Sequence, residues 1–520
     1  MPTSSPDCDR GDQAWIFTAK GVGPALGVYL PSAATYRLVG LARGVILSWL
    51  LTEWEFGVFQ VALLTVNILV PLCSAGTYDA LARYVPQYEA RHMLQGYLRR
   101  ATPCALLMTC LLVGIATVLA EPMGSFVFGS LADADLSAGA ANQLPLTRWT
   151  LAATLAVAGY MILLAIVRGL RMFWAVSVME LVSNLAFTGS TLLVALAGYP
   201  LAISMLTCYA GTYIIVTLVF SVLLWRRLRH MPDQRSVVEE HTTGRTIGPV
   251  LDQMLRYSLW TALAAVMWHA LFYYPLWYLQ KTNGPEVTAV FAGVRLITQA
   301  VIIAAASITT VLQTSVTRTW ESIGHESADR QLGLAHKAAW LLILAGCAAL
   351  IAAGPLIIAL FPAGYAAGLT IVAPSVALYA IGAQLLFLTI HFILIEKTRY
   401  LLVLWLSGAL GNAAFATWMI RPELTADQAL TAAAWSGVLG TGVALVGTLV
   451  ALWIERRPVE ARMLLLIAST YLLALPLPAL LVAVGILLLA AGATPMVFSR
   501  NERRELRRHA RALIATFRSR

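Results

Sequence analysis

The sequence predicts an all-α polytopic membrane protein with about 14 transmembrane helices. Its composition is 59% hydrophobic and only 12% charged, which is far from the balance of a soluble domain. Apolar runs of roughly 17–25 residues recur along almost the whole chain, and each can cross a hydrocarbon core about 30 Å thick. The loops between these runs alternate between arginine-rich and arginine-poor, as the loops of a multi-pass protein do.

The predicted spans follow one another with short connections. Residues 1–13 are expected to form a cytoplasmic tail, and residues 14–30 an interfacial helix that leads into the first span. Pro476 and Pro478 interrupt the last apolar stretch and divide it into two spans. In chain order, the spans lie near 33–52, 58–77, 101–120, 148–168, 174–195, 202–225, 255–279, 288–315, 337–360, 369–394, 399–420, 429–454, 461–477 and 479–496.

Loop charges set the predicted topology. With the N-terminus in the cytoplasm, the cytoplasmic loops and tail carry most of the cations, including Arg99, Arg227 and Lys337. The opposite loops carry mainly Lys281 and Arg421, together with acidic residues such as Asp133 and Asp135. This asymmetry satisfies the positive-inside rule and predicts that both termini are cytoplasmic.

A weak internal repeat predicts two pseudo-symmetric halves. The segment Trp54–Phe59 enters the second span, and the segment Glu286–Phe291 enters the eighth, six spans later. The predicted organisation is a cytoplasmic tail and interfacial helix (1–32), an N-terminal six-helix bundle (33–225), a cytoplasmic linker (226–254), a C-terminal six-helix bundle (255–454), two extra transmembrane helices (455–498) and a basic cytoplasmic tail (499–520).

Missing motifs exclude several functions. The chain has no phosphate-binding loop of the GxxxxGK[ST] type, no dinucleotide fingerprint, and neither HExxH nor GxSxG. Its six cysteines form no CxxC pair, so no metal site and no cofactor is expected. The net charge of +10 lies in loops where topology requires it, so no nucleic-acid partner is expected. No segment is long enough for a soluble catalytic domain, and the protein is not expected to be an enzyme.

Arginines within predicted spans are the main clue to function. Arg37 and Arg43 lie in the first span, and Arg295 lies in the eighth. A cation in the middle of a bilayer costs about 2.5–3.5 kcal/mol on insertion scales, so it normally faces a bundle interior or a watery cavity. A guanidinium pairs bidentately with phosphate and stays charged at any physiological pH. These residues therefore predict a pathway for an anionic cargo.

Five short motifs carry a family resemblance. Tyr36–Gly44 (YRLVGLARG) and Val294–Arg318 resemble the first and eighth spans of the lipid II flippases. Glu55–Phe59 (EFGVF), Tyr78–Val85 (YDALARYV) and Leu360–Ala367 (LFPAGYAA) resemble the polysaccharide-export flippases. Both groups belong to the multidrug/oligosaccharidyl-lipid/polysaccharide (MOP) exporter superfamily. The chain departs from the first group at Val70 and from the second at Ser48-Trp49, where each group has a basic residue.

The resemblance implies a flippase of a bacterial inner (plasma) membrane. Its cargo would be an undecaprenyl-pyrophosphate-linked oligosaccharide, moved from the cytoplasmic to the periplasmic leaflet for polysaccharide biosynthesis. Arg43 and Arg295, with Arg37, would line the substrate cavity. Membrane lipids are the other expected partners, and a polysaccharide polymerase and glycosyltransferases are candidate protein partners.

Each candidate residue also has a structural interpretation. Arg37 lies near the start of its span and can snorkel to the cytoplasmic interface. Glu180 and His269 are candidates for ion coupling, but Glu180 lies near Arg171 and can form a local ion pair, and His269 can be a hydrogen-bonded core residue. Five polar span residues are expected to form interhelical hydrogen bonds rather than sugar contacts: Asn67, Asn184, Gln299, Gln384 and Asn412.

Other functions remain open at this stage. Within transporters, the alternatives are a lipid II flippase and a cation-coupled drug exporter. A drug exporter of cationic compounds would favour acidic residues in its cavity over arginines. The alternative of another class is a membrane glycan polymerase or ligase, which would favour a long external loop rich in carboxylates and arginines. The largest external loop here is modest, with Asp133 and Asp135 among small residues.

Overall fold

The fold is helical throughout the part of the chain that the structure describes. The computed structural model describes residues 22–90, 94–128, 139–170, 172–229, 248–322, 324–395, 397–457 and 459–504. The helices are α1 (Val22–Leu50), α2 (Glu53–Cys73), α3 (Thr77–Ala90), α4 (Leu94–Val118), α5 (Ala120–Phe128), α6 (Gly139–Gly169), α7 (Phe173–Leu196), α8 (Ala202–Arg229), α9 (Gly248–Asn283), α10 (Pro285–Thr298), α11 (Ala300–Ser322), α12 (His325–Ala352), α13 (Gly354–Ile358), α14 (Val372–Leu394), α15 (Arg399–Met419), α16 (Ala426–Ile454), α17 (Ala461–Ala468) and α18 (Leu477–Ala493). Two 3₁₀ helices, Ala363–Ile371 and Ser469–Ala474, precede α14 and follow α17.

The predicted fold class is confirmed. Within the described residues, ten helical segments are long and apolar enough to cross a membrane, and two shorter apolar helices lie near the C-terminus. The predicted first and seventh spans fall on α1 and α9, which are 29 and 36 residues long. Every predicted span thus coincides with helix, and the chain is a multi-pass α-helical membrane protein.

Helix boundaries differ most from the predictions at three places. The predicted interfacial helix and first span form one continuous helix from Val22, with Pro31 inside it. The predicted eighth span is two helices, α10 and α11, with the break at Gln299. The helix that contains the predicted ninth span, α12, begins at His325, twelve residues before the predicted start at 337. Hydropathy detects only the apolar part of a helix, and polar turns at its ends are invisible to it.

Several predicted features lie outside the described residues. These are the tail 1–21, most of the linker (230–247), Arg171, Asp133 and Asp135, and the end of the basic tail (505–520).

Residue contacts divide the chain into two compact units that do not follow chain order. The first contains the described chain up to Arg43, Leu69–Glu121 and Pro145–Ala262. The second contains Gly44–Ile68, the described part of Pro122–Leu144, and the described chain from Leu263 onward. Five of the described helices contribute residues to both units: α1, α2, α5, α6 and α9. The division into two bundles at residues 225 and 255 stays a prediction.

The first unit has an apolar core drawn from α1, α3, α4, α6, α7 and α8. Residues 162–167 near the end of α6 lie at its centre, and Ala175, Val176 and Met179 of α7 pack against them. Gly76, between α2 and α3, has a φ of +67°, and a Cβ there would lie 2.3 Å from the Ser258 carbonyl oxygen. Only glycine fits this turn, which brings the start of α3 against α9.

The second unit is built around α14, which is buried along almost its whole length. Helices α15 and α16 pack closely because small residues face each other: a Cβ on Gly440 would lie 2.6 Å from the Cα of Asn412. Asn412 donates a hydrogen bond to the Leu271 carbonyl at 2.5 Å, and Gln384 bonds the buried His336 ring at 2.7 Å. Two of the predicted interhelical hydrogen bonds are thereby confirmed.

The two repeat segments and one family motif meet within the second unit. Gly57 of α2 lies against the first turn of α10, where a Cβ would come 2.2 Å from the Pro285 carbonyl oxygen. The Phe56 ring meets Tyr365 edge-on, with 6.2 Å between ring centroids. Trp49 donates a 2.7 Å hydrogen bond to the Leu360 carbonyl. Two of the segments that carry the resemblance, Glu55–Phe59 and Leu360–Ala367, therefore pack within this unit.

Polar contacts attach the C-terminal helices to α12. The Lys337 ammonium is buried and pairs with Glu460 at 2.5 Å and with Glu502 at 2.9 Å. One turn further along α12, the Trp340 indole donates to the Ser469 hydroxyl at 3.1 Å. Lys337, which the sequence predicts to be a loop cation, lies in the interior because α12 extends past it.

Candidate functional site

Arg43 lies in an aromatic environment within the first unit. Its guanidinium carbon is 4.2 Å from the ring centroid of Phe187 on α7, a cation–π contact. One guanidinium nitrogen donates a long hydrogen bond of 3.4 Å to the Asn184 side-chain oxygen. Arg43 forms an ion pair with none of the described carboxylates. It is therefore a half-buried cation that retains its positive charge and most of its donors.

A row of rings extends from Arg43 towards α6. Edge-to-face contacts join Phe187 to Tyr209, Tyr209 to Tyr213, and Tyr213 to Tyr160, with ring centroids 4.8–4.9 Å apart. Edge-to-face packing fixes ring orientation, so these four rings form one wall. The sequence interpretation named none of them, because their spacing on α6, α7 and α8 is also that of ordinary core aromatics.

Arg168 acts on two carboxylates in the same unit. Its guanidinium pairs with Glu180 at 2.7 Å, and Glu180 is buried with its second carboxylate oxygen unbonded by any described residue. The Asn184 side chain donates to the Glu180 carbonyl at 2.9 Å, which links this pair to Arg43. Burial raises the pKa of the Asp79 carboxyl on α3 to about 7, against the opposing effect of Arg168. Asp79 is a titratable group that the sequence interpretation missed.

The raised pKa of the Asp79 carboxyl predicts that the stability of the folded protein depends on pH. Its carboxyl has an ordinary pKa of about 3.9, so between about pH 4 and pH 7 the folded protein holds a proton that the unfolded chain releases. The free energy of unfolding should therefore fall as pH rises through this window. Asp79→Asn should remove that fall and raise the apparent melting temperature in detergent at pH 8 but not at pH 4.

The control for this prediction is the exposed Asp252, which pairs with Arg256 on the surface of α9. Asp252→Asn should leave the pH dependence of the melting temperature as in the unmodified protein. Parallel curves for the unmodified protein and Asp79→Asn from pH 4 to pH 8 would contradict the assignment.

Arg295 occupies a similar environment in the second unit. It is 5% exposed on α10, and its Nε donates a 2.7 Å hydrogen bond to the Tyr379 hydroxyl on α14. Its guanidinium carbon lies 4.1 Å from the ring centroid of Tyr273 on α9. Tyr379 stacks in turn on Phe272, with the rings within 4° of parallel. Like Arg43, Arg295 forms an ion pair with none of the described carboxylates.

His269 shares this environment. Its ring centroid is 5.8 Å from that of Tyr273, the residue whose face Arg295 covers. Its Nδ1 is buried, and none of the described residues bonds it. A protonated His269 would add a second positive charge beside Arg295, so the neutral ring suits this site better unless an anion is bound.

Arg37 lies apart from Arg43 on α1. The two are six residues apart, which places them about 120° apart around the helix axis. The Arg37 guanidinium carbon is 5.3 Å from the ring of Tyr36, and its buried Nε has no hydrogen-bond partner among the described residues.

Metal binding has no support within the described residues, where no group of three or more His, Cys, Asp or Glu side chains could hold an ion. Each unit therefore contains one arginine with aromatic contacts and a neutral hydrogen-bond acceptor, half-buried in the case of Arg43 and buried in the case of Arg295. Each arginine retains an uncompensated positive charge.

No family model matches the chain, and no curated protein matches it. Several solved structures, in contrast, superpose on it. An outward-facing multidrug resistance MATE family transporter of the MOP superfamily superposes with a TM-score of 0.61 at 16% identity, covering 87% of this chain and 100% of its own. The protein has the fold of the MOP-superfamily transporters. The inward-facing form of a MATE family transporter gives 0.60 at 14% identity, covering 85% and 100%.

A third MOP-fold structure, from Pyrococcus furiosus, superposes with a TM-score of 0.61 at 14% identity and covers 86% of this chain and 100% of its own. It is described as a MOP superfamily transporter whose binding pocket has reverse polarity, which suggests a different function. At these identities the likeness establishes the fold alone, and cargo has to be argued from the arginine sites.

Proposed function

We propose that this MOP-fold protein is a flippase that moves an undecaprenyl-pyrophosphate-linked oligosaccharide from the cytoplasmic to the periplasmic leaflet of a bacterial inner membrane. The observation that carries the proposal is a pair of arginines without carboxylate partners, the half-buried Arg43 in one unit and the buried Arg295 in the other. A buried cation that the protein leaves unpaired is stabilised when an anionic cargo binds.

The contacts of each arginine favour phosphate over a simple carboxylate. Tyr273 and Tyr379 fix the Arg295 guanidinium by its face and by Nε, and thereby orient its two terminal nitrogens. A fixed guanidinium fork matches two oxygens of a phosphate group. The half-buried rings of Tyr209 and Tyr213, which continue from the Phe187 ring that Arg43 covers, are candidate surfaces on which sugars stack. A pyrophosphate with attached sugars uses both features.

Coupling and assembly belong to the same proposal. An ion gradient or the membrane potential would drive transport, with Glu180 and His269 as the candidate coupling residues. We also propose, from the sequence, that both termini are cytoplasmic and that the protein is not an enzyme. Its proposed protein partners are a polysaccharide polymerase and glycosyltransferases.

A cation-coupled drug exporter is the second candidate, because the solved structures of like fold include multidrug resistance transporters. The local charge favours the flippase. A cationic drug would meet the positive charge of Arg43 or Arg295, and neither arginine is paired with a described carboxylate. Glu180, which is linked to Arg43 through Asn184, already pairs with Arg168. Like charges in a buried site repel by several kcal/mol.

The deciding experiment is mass spectrometry of undecaprenyl-linked lipids in cells depleted of the protein. Accumulation of a pyrophosphate-linked oligosaccharide would support the proposal and identify the glycan. Accumulation of lipid II would move the protein to cell-wall synthesis. If neither accumulates and the cells instead become sensitive to cationic dyes, the drug-exporter function would replace the proposal.

A further inference from the structure

A groove between α16 and α17 lies outside both arginine sites. Its cavity has a volume of about 650 Å³ and is lined by apolar side chains along its length and by two arginines at one end. The apolar lining comprises Leu449, Val450 and Trp453 of α16, Leu464 of α17, and Val459 of the connection; the arginines are Arg456 and Arg457. A lipid with an anionic headgroup requires an apolar wall for its acyl chain and a cation for its headgroup, and this groove offers both.

In and beside the connection from α16 to α17, some arginines have no acidic partner. Glu455 pairs with Lys397 at 2.5 Å, and Glu460 pairs with Lys337 at 2.5 Å. Arg457 pairs with Asp329 at 2.9 Å. Arg456 and Arg462 form no ion pair with any described residue. Both acids of the connection are therefore neutralised, while Arg456 in the connection and Arg462 in the first turn of α17 are not.

Arg456 also occupies a strained backbone position. The Arg456 N–H donates to the Trp453 carbonyl and the Arg457 N–H to the Leu452 carbonyl, both at 3.0 Å, which is the hydrogen-bond pattern of a Schellman turn. The φ of Arg456 is +52°, a value that glycine adopts with less strain than any residue with a side chain. A glycine at this position would stabilise the turn more than the arginine does. The arginine instead places a guanidinium at the end of the groove.

We propose that this groove binds an anionic phospholipid of the surrounding bilayer. The phosphate lies against Arg456, and an acyl chain follows Leu449, Val450, Trp453 and Leu464. A zwitterionic lipid fits less well, because its ammonium group would find Glu455 and Glu460 already paired with lysines. The bound lipid joins the end of α16 to α17, the first of the two C-terminal helices.

The test uses the full-length protein in detergent, with phosphatidylglycerol, phosphatidylcholine of the same acyl chains, and inorganic phosphate as probes. Native mass spectrometry measures retained lipid, and thermal unfolding measures stabilisation. Phosphatidylglycerol should be retained and raise the apparent melting temperature, and the other two probes should not. Equal effects of phosphatidylcholine would show that acyl chains merely fill the groove, and equal effects of phosphate would show a site for the ion only.

Arg456→Gly separates binding from folding. Glycine relieves the turn, so the lipid-free melting temperature should stay the same or rise, while affinity for phosphatidylglycerol should fall about tenfold with the loss of one charge-assisted contact. Arg421→Gln, at the exposed turn between α15 and α16, is the matched control and should change neither value. Unchanged lipid affinity in Arg456→Gly, or a lower lipid-free melting temperature, would overturn the proposal.

Discussion

Replacing Arg295 with glutamine is expected to reduce transport by roughly 10- to 100-fold while the protein still inserts and folds. A charge-assisted hydrogen bond to a phosphate oxygen is worth about 1.5–3 kcal/mol, and glutamine keeps hydrogen-bonding capacity without the charge. The structural loss is small, because the neutral Tyr379 hydroxyl and the Tyr273 ring are the side chains that hold the guanidinium. No buried carboxylate would be left uncompensated among the described residues.

Two variants sharpen this prediction. Arg295→Lys keeps the positive charge but loses the planar fork, so it should transport at an intermediate rate. Arg421→Gln removes an arginine that is exposed between α15 and α16, and it should transport normally. The measurement is the level of undecaprenyl-linked oligosaccharide in a depleted strain complemented with each variant at matched expression. Full complementation by Arg295→Gln would remove Arg295 from the substrate site.

Replacing Lys337 with methionine is expected to destabilise the protein by about 3–5 kcal/mol, the usual effect of removing one partner of a buried ion pair. Lys337 is 1% exposed, and Glu502 is only 8% exposed. Burial raises the pKa of the Glu502 carboxyl, but hydrogen bonds from the Ser499 backbone N–H and the Lys337 ammonium outweigh that effect and bring it below its ordinary value. Without Lys337, this buried charge would lose its cation.

An exposed lysine–glutamate pair provides the control. Lys397 and Glu455 are also 2.5 Å apart, but the Lys397 side chain is 45% exposed. Lys397→Met should cost only about 0–1 kcal/mol, as surface pairs do. Thermal unfolding in the same detergent measures both variants, and equal losses would contradict a special role for Lys337.

A double variant tests the cause of the effect. Adding Glu502→Gln to Lys337→Met removes the uncompensated charge, so it should restore part of the lost stability. Limited proteolysis should locate the damage at α17 and α18, which Lys337 and Trp340 attach to α12. If the double variant is less stable than Lys337→Met, the ion pair is not the source of the loss.

The sequence predicted the helices well and their ends poorly. The predicted spans all coincide with helix, because a bilayer forces every backbone polar group of a spanning segment into hydrogen bonds within that segment. The break at Gln299 and the early start of α12 at His325 were not predicted. The break lies inside an apolar run and the early start lies in a polar turn, and hydropathy marks neither position.

The candidate site was predicted in part. Arg43 and Arg295 could be identified because a cation in an apolar run stands out in one dimension. Their partners could not: Asn184 is 141 residues from Arg43, and Tyr379 is 84 residues from Arg295. A tyrosine in a transmembrane helix carries no signal that separates a ligand of arginine from a core residue, and whether these sites bind cargo stays a prediction.

The sequence by itself determined that this is an all-α, multi-pass membrane protein with arginines at unusual depth, because insertion into a bilayer depends on the polarity of local segments. The tertiary structure alone decided that Lys337 is buried and holds the C-terminal helices rather than lying in a loop, and that Arg168 pairs with Glu180 and acts electrostatically on Asp79. It also decided that Arg43 and Arg295 each lie among aromatic rings without a described carboxylate partner. Pairing and burial depend on which residues distant in the chain are brought together, and that is a property of packing.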